Sequence, residues 1–180
     1  MSEHLRMAPV DRHSLSTNPE DVPGIVRPYN GGLIKYCQAA AVCEDDTISY
    51  GEWGLYNYAA DIFNAYTSPY IVTNDVGDAG GLATLNGTAG ICLAADHCPE
   101  GYWAYFMLRG WYANAISASA AYAKGTKLMI VDVTGHGNQV SALAVSTPPV
   151  IAELDRWVAT AMKAGTVTAL DIYVHVPTIL

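Results

Sequence analysis

The segment between Gly101 and Gly110 constrains the fold more than any other part of the chain. Its side chains alternate between two sides of an extended chain: Tyr102, Ala104, Phe106 and Leu108 on one, and Trp103, Tyr105, Met107 and Arg109 on the other. This period of two and these residue types predict a β-strand. Both sides are apolar up to Arg109, so both need cover. One side is covered by the core of the domain, and the other by more chain or by another subunit.

Further short apolar segments predict a mainly β fold. They lie at residues 33–42, 47–50, 70–73, 91–95, 111–116, 127–133 and 140–145. The last predicted strand alternates clearly, with Ile172, Val174 and Val176 inward and Asp171, Tyr173 and His175 outward. Short strands separated by Gly-rich turns, of which Asn86-Gly87 is the strongest hairpin signal, indicate a small β-barrel or sandwich.

One α-helix is predicted in the C-terminal half, at about 148–163. Ser146 or Thr147 can cap it, two prolines fit its first turn, and Gly165 follows its end. Its apolar residues recur at helical spacing: Val150, Ile151, Leu154, Trp157, Val158, Ala161 and Met162.

Residues 1–30 form a polar segment containing four prolines, and residues 31–180 are predicted to form a single β-rich domain. The prolines favour extended geometry and argue against a helix or a central strand. Two interpretations stay open, a disordered tail and an extended arm that orders on a neighbour. In the second, Val22, Ile25, Val26 and Tyr29 are the residues that would make the contact.

Composition favours a protein that contacts partners. Apolar residues make up 51% of the chain and charged residues only 14%, against about a quarter in a typical soluble domain. The formal net charge is -8 and Lys and Arg are not clustered, which argues against binding nucleic acid or an anionic membrane. We find neither an apolar run long enough to span a bilayer nor a hydrophobic signal core at the N-terminus, so a soluble protein that is not exported is expected.

The four cysteines form two pairs with the same spacing. Cys37 and Cys43, like Cys92 and Cys98, are separated by five residues, whereas zinc ligands are usually paired at shorter spacings. Disulfides require an oxidising compartment. We therefore expect buried, free thiols.

The residues that invite a catalytic interpretation are few. Cys98 next to Asp96 and His97 would need a histidine base, for which His136 or His175 is a candidate. The same residues also fit an ordinary polar turn, which we favour because no strained nucleophile turn or helix start accompanies them.

The acidic groups Glu44-Asp45-Asp46 and Asp75 with Asp78 lack the ligand periodicity of a calcium loop. They are predicted to be solvated turns. The sequence therefore predicts neither an enzyme nor a site for a metal or a cofactor.

Several segments carry a family resemblance: Gly90-Ile-Cys-Leu-Ala-Ala, Gly101-Tyr-Trp-Ala-Tyr-Phe-Met-Leu-Arg-Gly, Ala115-Ile-Ser-Ala-Ser-Ala-Ala and Lys124-Gly-Thr-Lys-Leu. This run resembles a pattern in the capsid decoration proteins of tailed bacteriophages, also called head-stabilising or cement proteins. The later segments Gly165-Thr-Val and Asp171-Ile-Tyr-Val-His-Val resemble the closing strand of that family.

The resemblance implies a non-catalytic structural protein with a β-rich barrel. It would be made in the host cytoplasm and would sit in the virion, on the outer capsid surface. Its partners would be the major capsid protein and further copies of itself, most often as a homotrimer. The N-terminal arm would grip the shell, so that the protein stabilises the head against internal pressure.

Two other functions are compatible with parts of the sequence. A secreted, disulfide-bonded β-barrel could bind carbohydrate through surface tyrosines and tryptophans, of which the chain has 12 and 4. A cysteine hydrolase centred on Cys98 is the third hypothesis. The state of the four cysteines separates the first two hypotheses: free thiols are expected for the capsid decoration protein, and two disulfides for the secreted carbohydrate-binding protein.

Overall fold

The computed structural model describes residues 15–41, 43–56, 70–75, 88–117, 121–132, 138–143, 157–166 and 170–176. These residues form strands joined by turns, with a single 3₁₀ turn at Glu44–Asp46. The prediction of a mainly β fold is confirmed. The strands are β1 (Val26–Tyr29), β2 (Gly32–Ala39), β3 (Thr47–Ser49), β4 (Trp53–Tyr56), β5 (Ile71–Thr73), β6 (Thr88–Cys92), β7 (His97–Pro99), β8 (Trp103–Ala115), β9 (Ala121–Tyr122), β10 (Lys127–Asp132), β11 (Asn138–Ala142), β12 (Ala159–Ala161), β13 (Gly165–Thr166) and β14 (Leu170–His175).

The central element is β8, the strand predicted from the alternating aromatic segment. Ten strands form one sheet in the order β1-β2-β5-β4-β6-β8-β14-β12-β10-β11, and β2 also pairs with β8. Along one edge β8 pairs with β2, and along the other with β6 and then with β14. β8 therefore has hydrogen-bonded neighbours on both edges, as expected for a strand that is apolar on both sides.

Five of these strands close a ring. β2 pairs with β5, β5 with β4, β4 with β6, β6 with β8, and β8 pairs back with β2. Gly54 lies inside β4, where the Phe106 ring of β8 occupies the space beside it. A Cβ added at Gly54 would lie 2.8 Å from that ring. Closing the ring leaves these strands without open edges over the paired residues.

The other strands of the sheet extend from the C-terminal half of β8. β14, β12, β10 and β11 follow one another, and all their pairings are antiparallel. An isolated bridge joins Val140 of β11 to Ser117, two residues after β8 ends. The Val140 N–H donates to the Ile116 carbonyl oxygen at 3.3 Å. The far end of the sheet thus returns to the chain next to β8.

From Trp103 to Met107 the alternation along β8 separates two packed clusters, as the sequence predicts. The prediction is wrong for Leu108, which belongs to the same cluster as Met107, next to an irregularity in the pairing of β8 with β2. Ala104 and Phe106 belong to a cluster that contains all four cysteines. Trp103, Tyr105 and Met107 belong to a second and larger cluster, which continues into the β10–β14 part of the sheet. Arg109, the first charged residue along the strand, is exposed.

The Trp103 side of β8 is covered by another segment of the same chain. Residues 15–29, which we call the N-terminal strap, lie against this side of β2 and β8. Ser16 and Trp103 form a bridge, with the Trp103 N–H donating to the Ser16 carbonyl oxygen at 2.7 Å. Gly24 N–H donates to Tyr36 O at 2.9 Å. Residues 1–14 of the predicted arm lie outside the described residues.

The strap ends in a hairpin that the sequence explains. β1 pairs antiparallel with β2, and only Asn30 and Gly31 stand between the facing residues Tyr29 and Gly32. Both turn residues have positive φ, 45° and 75°, which Asn-Gly adopts at low cost in a two-residue hairpin. β1 begins the strand order, so Pro28 lies in an edge strand, where a missing N–H is tolerated.

The helix predicted at 148–163 is wrong over its C-terminal part. Residues 144–156 lie outside the described residues, but Ala159–Ala161 form β12, which pairs with β10 and β14. Met162, predicted on the apolar stripe, is exposed. Small and β-branched residues here fit either period, and pairing between two strands satisfies the backbone groups of all three. None of the described residues forms an α-helix, and so no described helix could span a membrane.

The close approach of β6 to β8 gives a first test of the fold. Gly90 has φ 117°, and an added Cβ would overlap the Met107 carbonyl oxygen. We expect Gly90→Ala to lower the free energy of unfolding by roughly 2–4 kcal/mol, from backbone strain plus overpacking. Gly31→Ala is the matched control, because Gly31 has φ 75° but no atom within 4 Å of an added Cβ. Gly31→Ala should lower the free energy of unfolding by only about 1 kcal/mol. Urea unfolding of both variants measures the difference, and equal losses would contradict this contact.

Candidate functional site

One face of the second half of the sheet combines aromatic side chains with exposure. Trp111 of β8 faces Tyr173 of β14, Tyr173 faces Thr160 of β12, and Thr160 faces Lys127 of β10. Because directly paired residues project to the same side of a sheet, these four form one row across four strands. Trp111 is 58% exposed, and the other three are half-buried.

A second aromatic group lies next to this row. The Trp157 ring packs edge-on against the His175 ring at 4.4 Å, and the Lys127 ammonium lies 4.7 Å from the Trp157 ring centre. Trp157 Nε1–H donates to Ala159 O at 2.8 Å and lies 3.1 Å from Thr160 Oγ1. The sequence predicted this indole on the apolar face of a helix. It lies instead at the surface, where hydrogen bonds to β12 fix it.

We call this surface the open face and define it by Arg109, Trp111, Lys127, Trp157, Tyr173 and His175. Arg109 faces His175 across the strands and its Nε lies 3.4 Å from the Tyr173 hydroxyl. Burial, together with the nearby Arg109 charge, lowers the pKa of His175 below its ordinary value. His175 is therefore neutral at pH 7, and the positive charge of the face belongs to Arg109 and Lys127.

A second group of charged side chains, all of them acidic, lies next to β3 and β7. The exposed residues Asp45 and Asp46 precede β3, and the exposed Asp96 precedes β7. β3 and β7 pair with each other, so these carboxylates flank a single two-stranded sheet. Glu100 follows β7, and its carboxylate accepts a hydrogen bond from Cys43 N–H at 3.0 Å. We call Asp45, Asp46, Asp96 and Glu100 the acidic end.

The strap contains a partly buried ion pair. The Arg27 guanidinium makes a two-point contact with the Asp21 carboxylate, with Nη2 2.6 Å from Oδ1. Tyr105 Oη–H donates to Asp21 at 2.7 Å, and Val22 N–H donates to it at 2.8 Å. The pKa of Asp21 is therefore held far below its ordinary value, mainly by the Arg27 hydrogen bonds and then by Tyr105. This carboxylate ties the strap to β8.

The four residues predicted to contact a capsid all lie on this strap. Val22 is 61% exposed and Val26 is 39% exposed. Ile25 and Tyr29 are half-buried and pack against the large cluster of the same chain. The structure therefore divides the predicted set into two residues that anchor the strap and two that face outward.

The two cysteine pairs, far apart in sequence, meet inside the five-stranded ring. All four thiols are free and buried, in one cluster with Phe106. Burial raises the pKa of the Cys37 and Cys98 thiols to about 12 and that of Cys43 to about 11. The thiols are thus protonated at neutral pH and behave as small apolar side chains.

The residues of the catalytic hypothesis do not come together. Cys98 lies in β7 with its thiol directed to the carbonyl oxygen of Tyr102, 3.4 Å away, whereas the neighbouring His97 is exposed. His175 packs on Trp157 of the open face. His136 lies outside the described residues. The expected turn at 96–101 contains the short strand β7, whose pairing with β3 buries the thiol.

The acidic turns carry no cluster of ligands in the part of the chain that the structure describes. Asp45 and Asp46 are exposed, Asp75 is half-buried, and Asp78 is not among the described residues. No group of three or more His, Cys, Asp or Glu side chains is placed to hold a metal ion among the described positions.

No protein-family model matches the chain, and neither a curated protein nor a solved structure matches it. The surfaces described above are therefore interpreted from their own chemistry.

The strap ion pair predicts a stability that depends on pH. Because the pKa of Asp21 is lowered in the folded state, its contribution is present above the ordinary carboxyl pKa and is lost as pH falls below it. We expect the wild type to lose more stability between pH 5 and pH 2 than Asp21→Asn does, as measured by thermal unfolding across this range. Tyr105→Phe, which removes one of the hydrogen bonds to this carboxylate, should lie between the wild type and Asp21→Asn. If the melting temperatures of the wild type and of Asp21→Asn fall in parallel as pH is lowered, the ion pair of Asp21 with Arg27 is not formed.

The buried thiols predict slow chemistry in the folded state. At pH 8 a thiol-specific reagent should modify none of the four cysteines on the timescale of minutes, because burial keeps them protonated and inaccessible. Four thiols per chain should react after denaturation. Two or fewer reactive thiols in denaturant, without reductant, would instead indicate disulfides and favour the secreted class of protein.

Proposed function

We propose that the protein is a non-catalytic capsid decoration protein that binds the outer surface of a phage head as an oligomer. The observation that carries the proposal is the outward apolar side of the strap. Leu15, Val22 and Val26 are three of the six large hydrophobic residues that are exposed among the described residues. Exposed apolar residues gathered on one short segment mark a contact with another protein.

The strap is ordered before it binds, which favours a tight contact. Asp21, paired with Arg27 within the strap, accepts a hydrogen bond from Tyr105 of β8, and Ser16 and Trp103 join the beginning of the strap to β8. Val22 lies directly after Asp21, so its side chain is presented from an anchored backbone. Preorganisation of this kind lowers the entropy lost on docking. In this proposal the shell contacts Val22 and Val26, while Ile25 and Tyr29 hold the strap to the body.

The rest of the fold suits a mechanical role. The five-stranded ring would be the barrel of a decoration-type fold, and its dry, protonated thiol cluster offers no reactive group. Several copies on a symmetric shell would add their weak contacts, since each further contact of a seated oligomer is intramolecular. Neighbouring capsid subunits would thus be clamped without a chemical step.

Carbohydrate binding is the second candidate, and the open face favours it. Trp111 and Tyr173 lie side by side across two strands with Arg109 beside them, an arrangement on which a sugar ring can stack while its hydroxyls bind the guanidinium. Quenching of tryptophan fluorescence by an oligosaccharide, absent in Trp111→Ala, would favour this candidate over the first.

The test of capsid attachment is co-sedimentation with phage heads whose major capsid gene neighbours this gene. Val22→Asp with Val26→Asp should reduce the bound fraction at least about tenfold, because charge is buried at the contact. Thr17→Asp with Asn18→Asp is the matched control, since it adds the same charge at exposed polar positions of the strap. The control should bind close to wild type. Wild-type protein that does not sediment with the heads would contradict the proposal.

A further inference from the structure

The described basic and acidic side chains lie on different elements of the fold. Arg27 is paired with Asp21, and Lys35 is half-buried against the Tyr56 hydroxyl at 2.7 Å. The other basic residues that the structure describes belong to the second half of the chain: Arg109, Lys124, Lys127 and Lys163. Of the exposed carboxylates, Glu20 lies on the strap, and Asp45, Asp46 and Asp96 lie next to β3 and β7. One molecule therefore presents a basic surface and an acidic surface on different elements.

The basic surface is also the most exposed aromatic surface among the described residues. Trp111 and Met162 are 58% and 41% exposed. Asp171, the acidic residue of β14, is neutralised by Lys163, whose Nζ lies 2.8 Å from its carboxylate. Trp and Arg are the side chains that most often dominate the binding energy of a protein interface, and here Trp111 and Arg109 lie on one strand of the open face.

The acidic surface is complementary to the open face in charge and also carries an exposed aromatic ring. Asp45, Asp46 and Asp96 surround the two-stranded sheet of β3 and β7, and Tyr50, directly after β3, is 37% exposed. Tyr50 N–H donates to Asp96 O at 3.0 Å, which holds the tyrosine next to that carboxylate. An exposed aromatic ring beside carboxylates complements an exposed indole beside a guanidinium.

We propose that the open face of one copy docks on the acidic end of a second copy of this chain. Contacts of this kind join two different patches, so they are heterologous, head-to-tail contacts that generate a closed ring of subunits or a filament. The inference deepens the proposed function, in which the protein works as an oligomer, by naming the two surfaces. It does not depend on the strap, which remains available for the shell.

The test uses the purified full chain alone, so its outcome is separate from that of capsid attachment. Sedimentation velocity over a range of protein concentrations should show reversible association, weaker at about 500 mM salt than at about 50 mM because exposed charges are screened. Trp111→Ala should weaken association at least about tenfold. Val22→Asp with Val26→Asp, on the strap, should leave it unchanged.

Charge reversal identifies the two patches directly. Arg109→Glu with Lys127→Glu reverses the charge of the open face, and Asp45→Asn with Asp46→Asn and Asp96→Lys changes the summed charge of the three exposed carboxylates of the acidic end from negative to positive. Each variant alone should associate at least about tenfold more weakly than wild type, because like charges then face each other. The two variants mixed should associate again, since each supplies the patch that the other has reversed. Asn is used at positions 45 and 46 because the positive φ at both positions suits Asn.

Three results would overturn the inference. The first is a strict monomer at high concentration and low salt. The second is association that persists in Trp111→Ala and in both charge-reversal variants. The third is loss of association in both reversal variants without recovery on mixing, although each has the circular dichroism spectrum and melting temperature of a folded chain. If the protein is a strict monomer and an oligosaccharide quenches the fluorescence of Trp111, the open face is a sugar-binding surface instead.

Discussion

The structure depends on one constraint, the two-sided apolar character of β8. A strand with large side chains on both sides cannot lie at a surface, because it would leave one of them in water. Pairing with β2 on one edge, and with β6 and β14 on the other, places its backbone inside the sheet. Phe106 then packs within the closed ring and Tyr105 packs outside it, where the strap is the cover.

This arrangement leaves apolar side chains exposed at two places. The strap uses a polar anchor, Asp21 with Arg27 and Tyr105, to hold a segment whose outward residues are apolar. Farther along, β8 leaves the ring and its outward side becomes the open face, where Trp111 is exposed. The same strand is therefore covered by its own chain at Trp103 and exposed at Trp111.

The sequence predicted the features that depend on the alternation of side chains along one strand. It did not predict those that depend on which strands pair. The two sides of β8 from Trp103 to Met107, and the burial of Ile172 and Val174 in β14, follow from a period of two and are confirmed. Leu108 departs from this period and packs with the Met107 side. The helix was wrong at Ala159–Ala161, since three small residues between two strands take the conformation that their neighbours' backbones require. The convergence of the two cysteine pairs could not be predicted either, because it requires knowing that β2, β6 and β7 pack against one cluster although they belong to two different sheets. Cross-strand rows such as the open face need the register, which short segments do not encode.

Hydrogen exchange of the intact protein, followed by mass spectrometry, tests the central place of β8 most directly. The account predicts that amides of residues 104–109 are the slowest to exchange, at the rate of global unfolding, because both edges of this segment are hydrogen-bonded. Amides of the strap should exchange earlier, through local opening. The account is contradicted if residues 104–109 exchange as fast as the strap or before the strands of β10 and β14.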